Sequence, residues 1–299
     1  MKYLIVKTYL IGDFMKKNIF ILISLFFILY CYSFSETEEI EKEKYYLEQI
    51  KNNDSNAMYN LGLLYYNKNN FDLAEKYYLM AIEYNHSDAM HNLGLLYHNQ
   101  QKFDLAEKYY LLAIKYDDNS SSNNGDSMNN LGNLYKEQNN FDLAEKYYLM
   151  AIKFNNSFAM YDLGLLYDKQ NNFDLAKKYY LMAIEYNHND AMYNLGLLYY
   201  TRNYFDLAEK YYLMAIREKQ NDALYALGFL YYNQQRFDLA EKYYLIATEH
   251  NHNKAMFALG FLYFTQQKME LSKKYFIMAE KNGIVEARKI LVECFQYKF

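Results

Sequence analysis

The dipeptide Leu-Gly returns at Gly62, Gly94, Gly132, Gly164, Gly196, Gly228 and Gly260, at a spacing of 32 residues in every interval but one, where it is 38. A chain that writes one unit seven times over is expected to bury each unit's apolar face against the next, because no single unit can do so alone. The unit reads Ala57-Met58-Tyr59-Asn60-Leu61-Gly62-Leu63-Leu64-Tyr65, then Asn69-Asn70-Phe71-Asp72-Leu73-Ala74-Glu75-Lys76-Tyr77-Tyr78-Leu79-Met80-Ala81-Ile82. Ala57, Leu61 and Leu64 mark one helical stripe, and Ala74, Tyr77, Tyr78 and Ala81 mark a second. Each repeat is therefore read as a hairpin of two amphipathic helices.

Local chemistry supports that reading. Gly62, Ala74 and Ala81 are small where the two helices must approach; larger groups there would overpack at a cost of about 1–3 kcal/mol each. Asn70 is placed to cap the second helix, and Asp72 lies in its first turn. Asp72 also stands four residues before Lys76, a spacing repeated at Asp104/Lys108, Asp142/Lys146, Asp174/Lys178, Asp206/Lys210, Asp238/Lys242 and Glu270/Lys274, which predicts a row of helix-face ion pairs. Asn85 suits the left-handed conformation that closes a helix. The chain has no Pro, where usual composition would supply roughly 15, as befits helices that tolerate no missing donor.

Leu61-Gly62, Tyr65, Ala74, Tyr78 and Ala81 resemble the spacing of the tetratricopeptide repeat. The turn Ala81-Ile82-Glu83-Tyr84-Asn85-His86-Ser87-Asp88-Ala89 is similar to that of the related Sel-one-like repeat, with Asn85-His86 where that repeat usually has Gly-His. The resemblance implies an all-α fold: a right-handed α-solenoid, or superhelix, of about seven helix-turn-helix repeats with a helical cap at each end. On this reading residues 36–54 form the N-terminal capping helix, 55–283 the seven repeats and 284–299 the C-terminal capping helix. The isolated thiol Cys294 is read as a small core residue.

The resemblance also implies a partner-binding surface on the concave side, lined by the first helix of each hairpin. Carried onto this chain, that stripe holds Tyr59, Leu63 and Tyr66; His91, Leu95 and His98; Asn129, Asn133 and Lys136; Tyr161, Leu165 and Asp168; Tyr193, Leu197 and Tyr200; Tyr225, Phe229 and Tyr232; and Phe257, Phe261 and Phe264. The repeats are nearly identical at scaffold positions and differ here. Tyr65, Tyr77 and Tyr78 and their equivalents are read as scaffold, and the aromatics of the stripe as candidate contacts for a protein or peptide ligand. The opposing possibility is that tight curvature buries these rings against neighbouring repeats.

Other chemistries find little footing. His91 and His98 share a face, but no Cys or carboxylate joins them at metal-ligand spacing. His86, His188 and His252 recur in turns and are read as turn residues. The segment from Asp117 to Asp126 is oxygen-rich, yet it lacks the Gly and Glu of a calcium loop and is read as a flexible loop. No nucleophile, base and orienting group occur together, and no phosphate-binding Gly loop is present, so the expectation is a protein without catalytic residues, metal or cofactor. A net charge of -4 argues against nucleic acid.

Lys16 and Lys17 precede an apolar run from Ile19 to Phe34, and Glu36, Glu38, Glu39 and Glu41 follow it. That order resembles a secretory signal over residues 1–35, with Met15 as an alternative start. A retained membrane anchor is the second possibility, and lipid attachment at Cys31 the third, although Tyr30 stands where a lipobox has a small residue. The expected product is an exported protein-interaction scaffold, periplasmic or in the cell envelope. The alternative is a membrane-anchored envelope assembly or structural lipoprotein.

Overall fold

The computed structural model describes residues 38–117 and 123–297. These form sixteen α-helices and no strand. The leader read over residues 1–35, with Cys31, lies outside the described residues, as does most of the oxygen-rich segment between Asp117 and Asn123. No described helix is long and apolar enough to cross a membrane.

Two compact units divide the chain at Asn123. The first holds α1 (38–50), α2 (Ser55–Asn67), α3 (Phe71–Ile82), α4 (Ser87–Asn99) and α5 (Phe103–Tyr116). The second holds α6 (Asn123–Glu137), α7 (Phe141–Ile152), α8 (Ser157–Lys169), α9 (Phe173–Glu185), α10 (Asp190–Thr201), α11 (Phe205–Arg217), α12 (Asp222–Asn233), α13 (Phe237–Glu249), α14 (Asn253–Thr265), α15 (Met269–Lys281) and α16 (Val285–Phe295). Each unit is a stretch of α-solenoid in which helices pack in antiparallel pairs and each pair packs on the next.

The repeated glycine sets the closeness of each pair. A Cβ built on Gly62 would lie 2.6 Å from the ring of Tyr78, and the same distance of 2.6–2.7 Å recurs between Gly94 and Tyr110, Gly164 and Tyr180, Gly196 and Tyr212, and Gly228 and Tyr244. Those rings are fully buried. A second layer stacks Tyr65 on Tyr77 at 5.6 Å, with its counterparts Tyr167/Tyr179, Tyr199/Tyr211 and Tyr263/Tyr275 at 5.5–5.6 Å.

Helix ends follow side-chain chemistry closely. Asn70, Asn140 and Asn172 each accept the backbone N–H three residues on, capping α3, α7 and α9. Lys102, Tyr204, Arg236 and Lys268 take that place elsewhere and provide no side-chain cap. Three of them cover a ring instead: Lys102 lies 5.4 Å from Tyr97, Arg236 4.5 Å from Tyr231 and Lys268 5.5 Å from Tyr263. Asn85 does sit in the left-handed region, at φ 59°, and Asn69 closes the turn inside the hairpin at φ 57°.

Two readings need correction. No ion pair joins Asp72 to Lys76 or their equivalents among the described residues; the lysine turns toward its chain neighbour, with Lys76, Lys108, Lys146, Lys178, Lys210, Lys242 and Lys274 each 4.9–5.3 Å from the following tyrosine ring. The alkyl stem gains contact with the ring while the ammonium stays wet, whereas an exposed i,i+4 pair offers only a few tenths of a kcal/mol. Cys294 is exposed, because no described helix packs over that side of α16.

Candidate partner-binding face

Successive hairpins are joined on one side by a tyrosine that donates to a glutamate 22 residues earlier. Tyr65 reaches Glu43 at 2.7 Å, Tyr97 reaches Glu75 at 2.8 Å, Tyr167 reaches Glu145 at 2.6 Å, Tyr231 reaches Glu209 at 2.8 Å and Tyr263 reaches Glu241 at 2.7 Å. Burial, then the bond to the carboxylate, raises the phenol of Tyr65 to about 12 and those of Tyr97, Tyr167, Tyr231 and Tyr263 further still. These rings join neighbouring helices of the scaffold.

The first-helix stripe has a different construction. Tyr59 stacks on His86 at 4.8 Å, Tyr161 on His188 at 4.5 Å and Tyr225 on His252 at 4.8 Å. His86 and His252 also accept the backbone N–H of Ala89 and Ala255, so these turn histidines cap a helix and brace a stripe ring together. Burial lowers the pKa of both. A second brace comes from asparagine 33 residues on: Asn92 donates to the Tyr59 hydroxyl at 3.2 Å, Asn99 to Tyr66 at 3.2 Å, Asn194 to Tyr161 at 2.7 Å and Asn233 to Tyr200 at 2.6 Å.

Much of the stripe is thereby committed to the protein itself. His91 is 7% exposed, set against Tyr110, so it presents no open surface, and His98 lies edge-on to Phe103 and Tyr110. On α6 and α8, Lys136 pairs with Asp162 at 3.1 Å, and Tyr148 donates to Asn133 at 2.7 Å. Asp168 is half-buried near the Tyr180 hydroxyl, and its carboxyl pKa is raised by burial, with Tyr180 and Arg202 opposing.

From α10 onward the asparagine brace survives only at Tyr200 among the described residues. Ala226 and Ala258 occupy the places of Asn92 and Asn194, and Thr265 that of Asn99 and Asn233. The hydroxyls of Tyr193, Tyr225 and Tyr232 consequently make no hydrogen bond among the described residues. The middle stripe position changes from Leu63, Leu95, Leu165 and Leu197 to Phe229 and Phe261, which are 39% and 40% exposed. Tyr225 stacks on Phe229, which also meets Tyr200 at 6.0 Å, and Phe257 meets Phe261 edge-on at 4.9 Å. Tyr225, Phe229, Phe257 and Phe261 line a cleft of about 510 Å³ that also includes Tyr232, Lys254 and Glu286. Phe264 turns toward Phe295 of α16 and closes the C-terminal side.

The core has adapted at that end. Phe276 replaces the buried tyrosine of every other repeat and packs against Phe257, Phe261 and Phe295. Ser272 replaces the buried alanine and donates to the Gly260 carbonyl at 2.8 Å.

Models of the tetratricopeptide repeat match residues 55–88, 86–157, 161–223 and 225–276. This chain is a tetratricopeptide-repeat protein. Among solved structures, the tetratricopeptide hairpins resemble those of PilF from Pseudomonas aeruginosa, 19% identical with a TM-score of 0.55 over 69% of this chain and 97% of that one. They also resemble the C-terminal part of a tetratricopeptide-repeat protein from Cytophaga hutchinsonii, 16% identical with a TM-score of 0.59 over 77% of this chain and 98% of that one. At these identities the likeness is one of fold. No curated protein sequence matches the chain.

Proposed function

We propose that this tetratricopeptide-repeat protein is an exported scaffold that holds a segment of a partner protein along α10, α12 and α14. Proteins of this family act generally as protein-interaction scaffolds. The observation that carries the reading here is the change in the stripe after α10. Tyr193, Tyr225 and Tyr232 lose the asparagine hydrogen bond made in other repeats, while Phe229 and Phe261 are exposed where four other repeats keep leucine. An exposed Phe adds little to folded stability, and contiguous apolar patches on soluble proteins mark interaction sites. Rings with a wet edge give large contact area at low entropic cost.

A photo-crosslinking side chain placed at Phe229 or Phe261 should give a discrete adduct in the native cell. The same group at Leu207, exposed on α11, should not. Equal labelling from all three positions would remove the groove from consideration. Export rests on the order of Lys16, Lys17, the apolar run to Phe34 and the acidic residues that follow. A mature chain beginning at Glu36 supports a soluble exported form, and an acyl group on Cys31 supports the anchored envelope form. An intact leader on a soluble chain contradicts export.

A further inference from the structure

We infer that the held segment carries a lysine or arginine next to an apolar side chain, with the cation between Asp190 and Asp222 and the apolar group on Phe229 and Phe261. The inference rests on the reading that this stripe holds a partner segment. Beside the aromatic cleft lies a second recess of about 520 Å³, lined by Tyr161, Asp190, Tyr193, Asn194, Gln220 and Asp222 together with Asn221. No cationic side chain lines it. Asp190 receives only the neutral Gln220 amide at 3.3 Å, and the Asp222 side chain is 73% exposed with His252 Nε2 at 3.4 Å. Burial holds the His252 imidazole toward its neutral form, so it leaves the Asp222 charge in place at neutral pH.

A contrast within the same stripe sharpens the argument. On α6 and α8 the carboxylate Asp162 is met by the chain's own Lys136. In the aromatic cleft Lys254 and Glu286 supply one charge of each sign. The recess between α10 and α12 presents two carboxylates and an aromatic face with no cationic side chain in its lining, the combination that an ammonium or guanidinium fits. Asp222 and Phe229 are seven residues apart on α12, about 10 Å along its axis. An extended segment covers that distance in roughly three residues.

The test uses the full chain and nine-residue peptides with an Ala/Ser background, one Lys and one Phe one to six residues apart, and matched peptides with Glu for Lys, read by fluorescence anisotropy. The Lys peptides should bind about fivefold tighter than their Glu counterparts at low salt, best near a separation of three, as expected for two partly exposed charge contacts. The double variant D190N/D222N should erase that preference while keeping the Phe dependence, and F229S/F261S should lose all peptides with helicity retained. A Lys preference that survives in D190N/D222N, or Glu peptides that bind as well as Lys peptides, overturns the inference and leaves the groove standing. Binding by F229S/F261S equal to wild type, or no binding by any peptide, overturns the groove reading as well.

Discussion

Lys177 allows the Tyr-to-Glu scheme between repeats to be tested by adding a bond. At five junctions a tyrosine donates to a glutamate 22 residues earlier, but 22 residues before Tyr199 stands Lys177. The lysine faces Asp174 at 3.7 Å, a carboxylate 88% exposed, and lies 5.4 Å from the Phe173 ring. Tyr199 is buried among Phe173, Tyr204 and Tyr211, and burial raises its phenol pKa. Lys177→Glu places a carboxylate where Glu145 and Glu209 stand in neighbouring repeats. A hydrogen bond to a charged acceptor contributes about 1.5–3 kcal/mol. The lost ion pair and ring contact are exposed and together amount to roughly 1 kcal/mol. The net expectation is a gain of about 1 kcal/mol, or close to fivefold in an opening equilibrium.

A repeat array need not unfold in one step, so the suitable assay is native-state amide exchange resolved to α9 and α10. Exchange there should slow about fivefold in K177E. Tyr199→Phe should reverse the gain in that background and change exchange by less than about twofold in the wild type, where the hydroxyl has nothing to lose. Equal effects of Tyr199→Phe in both backgrounds, or no slowing in K177E, would refute the reasoning.

Three further expectations follow from the same packing. The bonded tyrosines are held protonated above the ordinary phenol value near 10, so their contribution is complete below about pH 10 and is lost as pH rises through the folded value, about 12 for Tyr65; the last part of the tyrosinate absorbance should appear only together with loss of helicity, and complete ionisation with helicity intact would contradict the burial argument. Gly164→Ala drives a Cβ to 2.6 Å from the buried Tyr180 ring, a clash of about 1–3 kcal/mol against about 1 kcal/mol of helix propensity gained; denaturant unfolding should show a net loss, and an unchanged midpoint would show that the ring yields. Lys219 holds φ at 64°, so Lys219→Gly should raise the melting temperature through a gain of roughly 0.5–1 kcal/mol, and a fall in melting temperature would show that the lysine side chain contributes more than its strain.

Some of this architecture was readable along the chain and some was not. Gly62 with Ala74 and Ala81 pointed to a close helix pair, and the ring of Tyr78 over Gly62 is that contact. Asn70 and Asn85 were readable because capping and left-handed turns act over three or four residues. The Asp72/Lys76 spacing misled, since two residues on one helix face need not choose each other when Tyr77 offers the lysine a ring. Cys294 misled for a related reason: a helical pattern marks a face, but the presence of a covering neighbour is a tertiary fact. The stripe from Tyr59 to Phe264 was placed by resemblance and set apart by its variability, yet which of its rings remain exposed was hidden. Ala226 and Ala258 read as ordinary helix formers until their place opposite Tyr193 and Tyr225 is seen.

Sequence by itself determined the hairpin, its period and the all-α class, because those depend on apolar spacing, small residues and turn chemistry within one repeat. Tertiary structure alone decided how neighbouring repeats divide their polar groups. Bonds between residues 22 or 33 apart, such as Tyr97 to Glu75 and Asn194 to Tyr161, depend on which side chains two separate hairpins turn toward one another. That orientation comes from packing in three dimensions, and through it the absence of one asparagine amide leaves a tyrosine hydroxyl without its hydrogen bond.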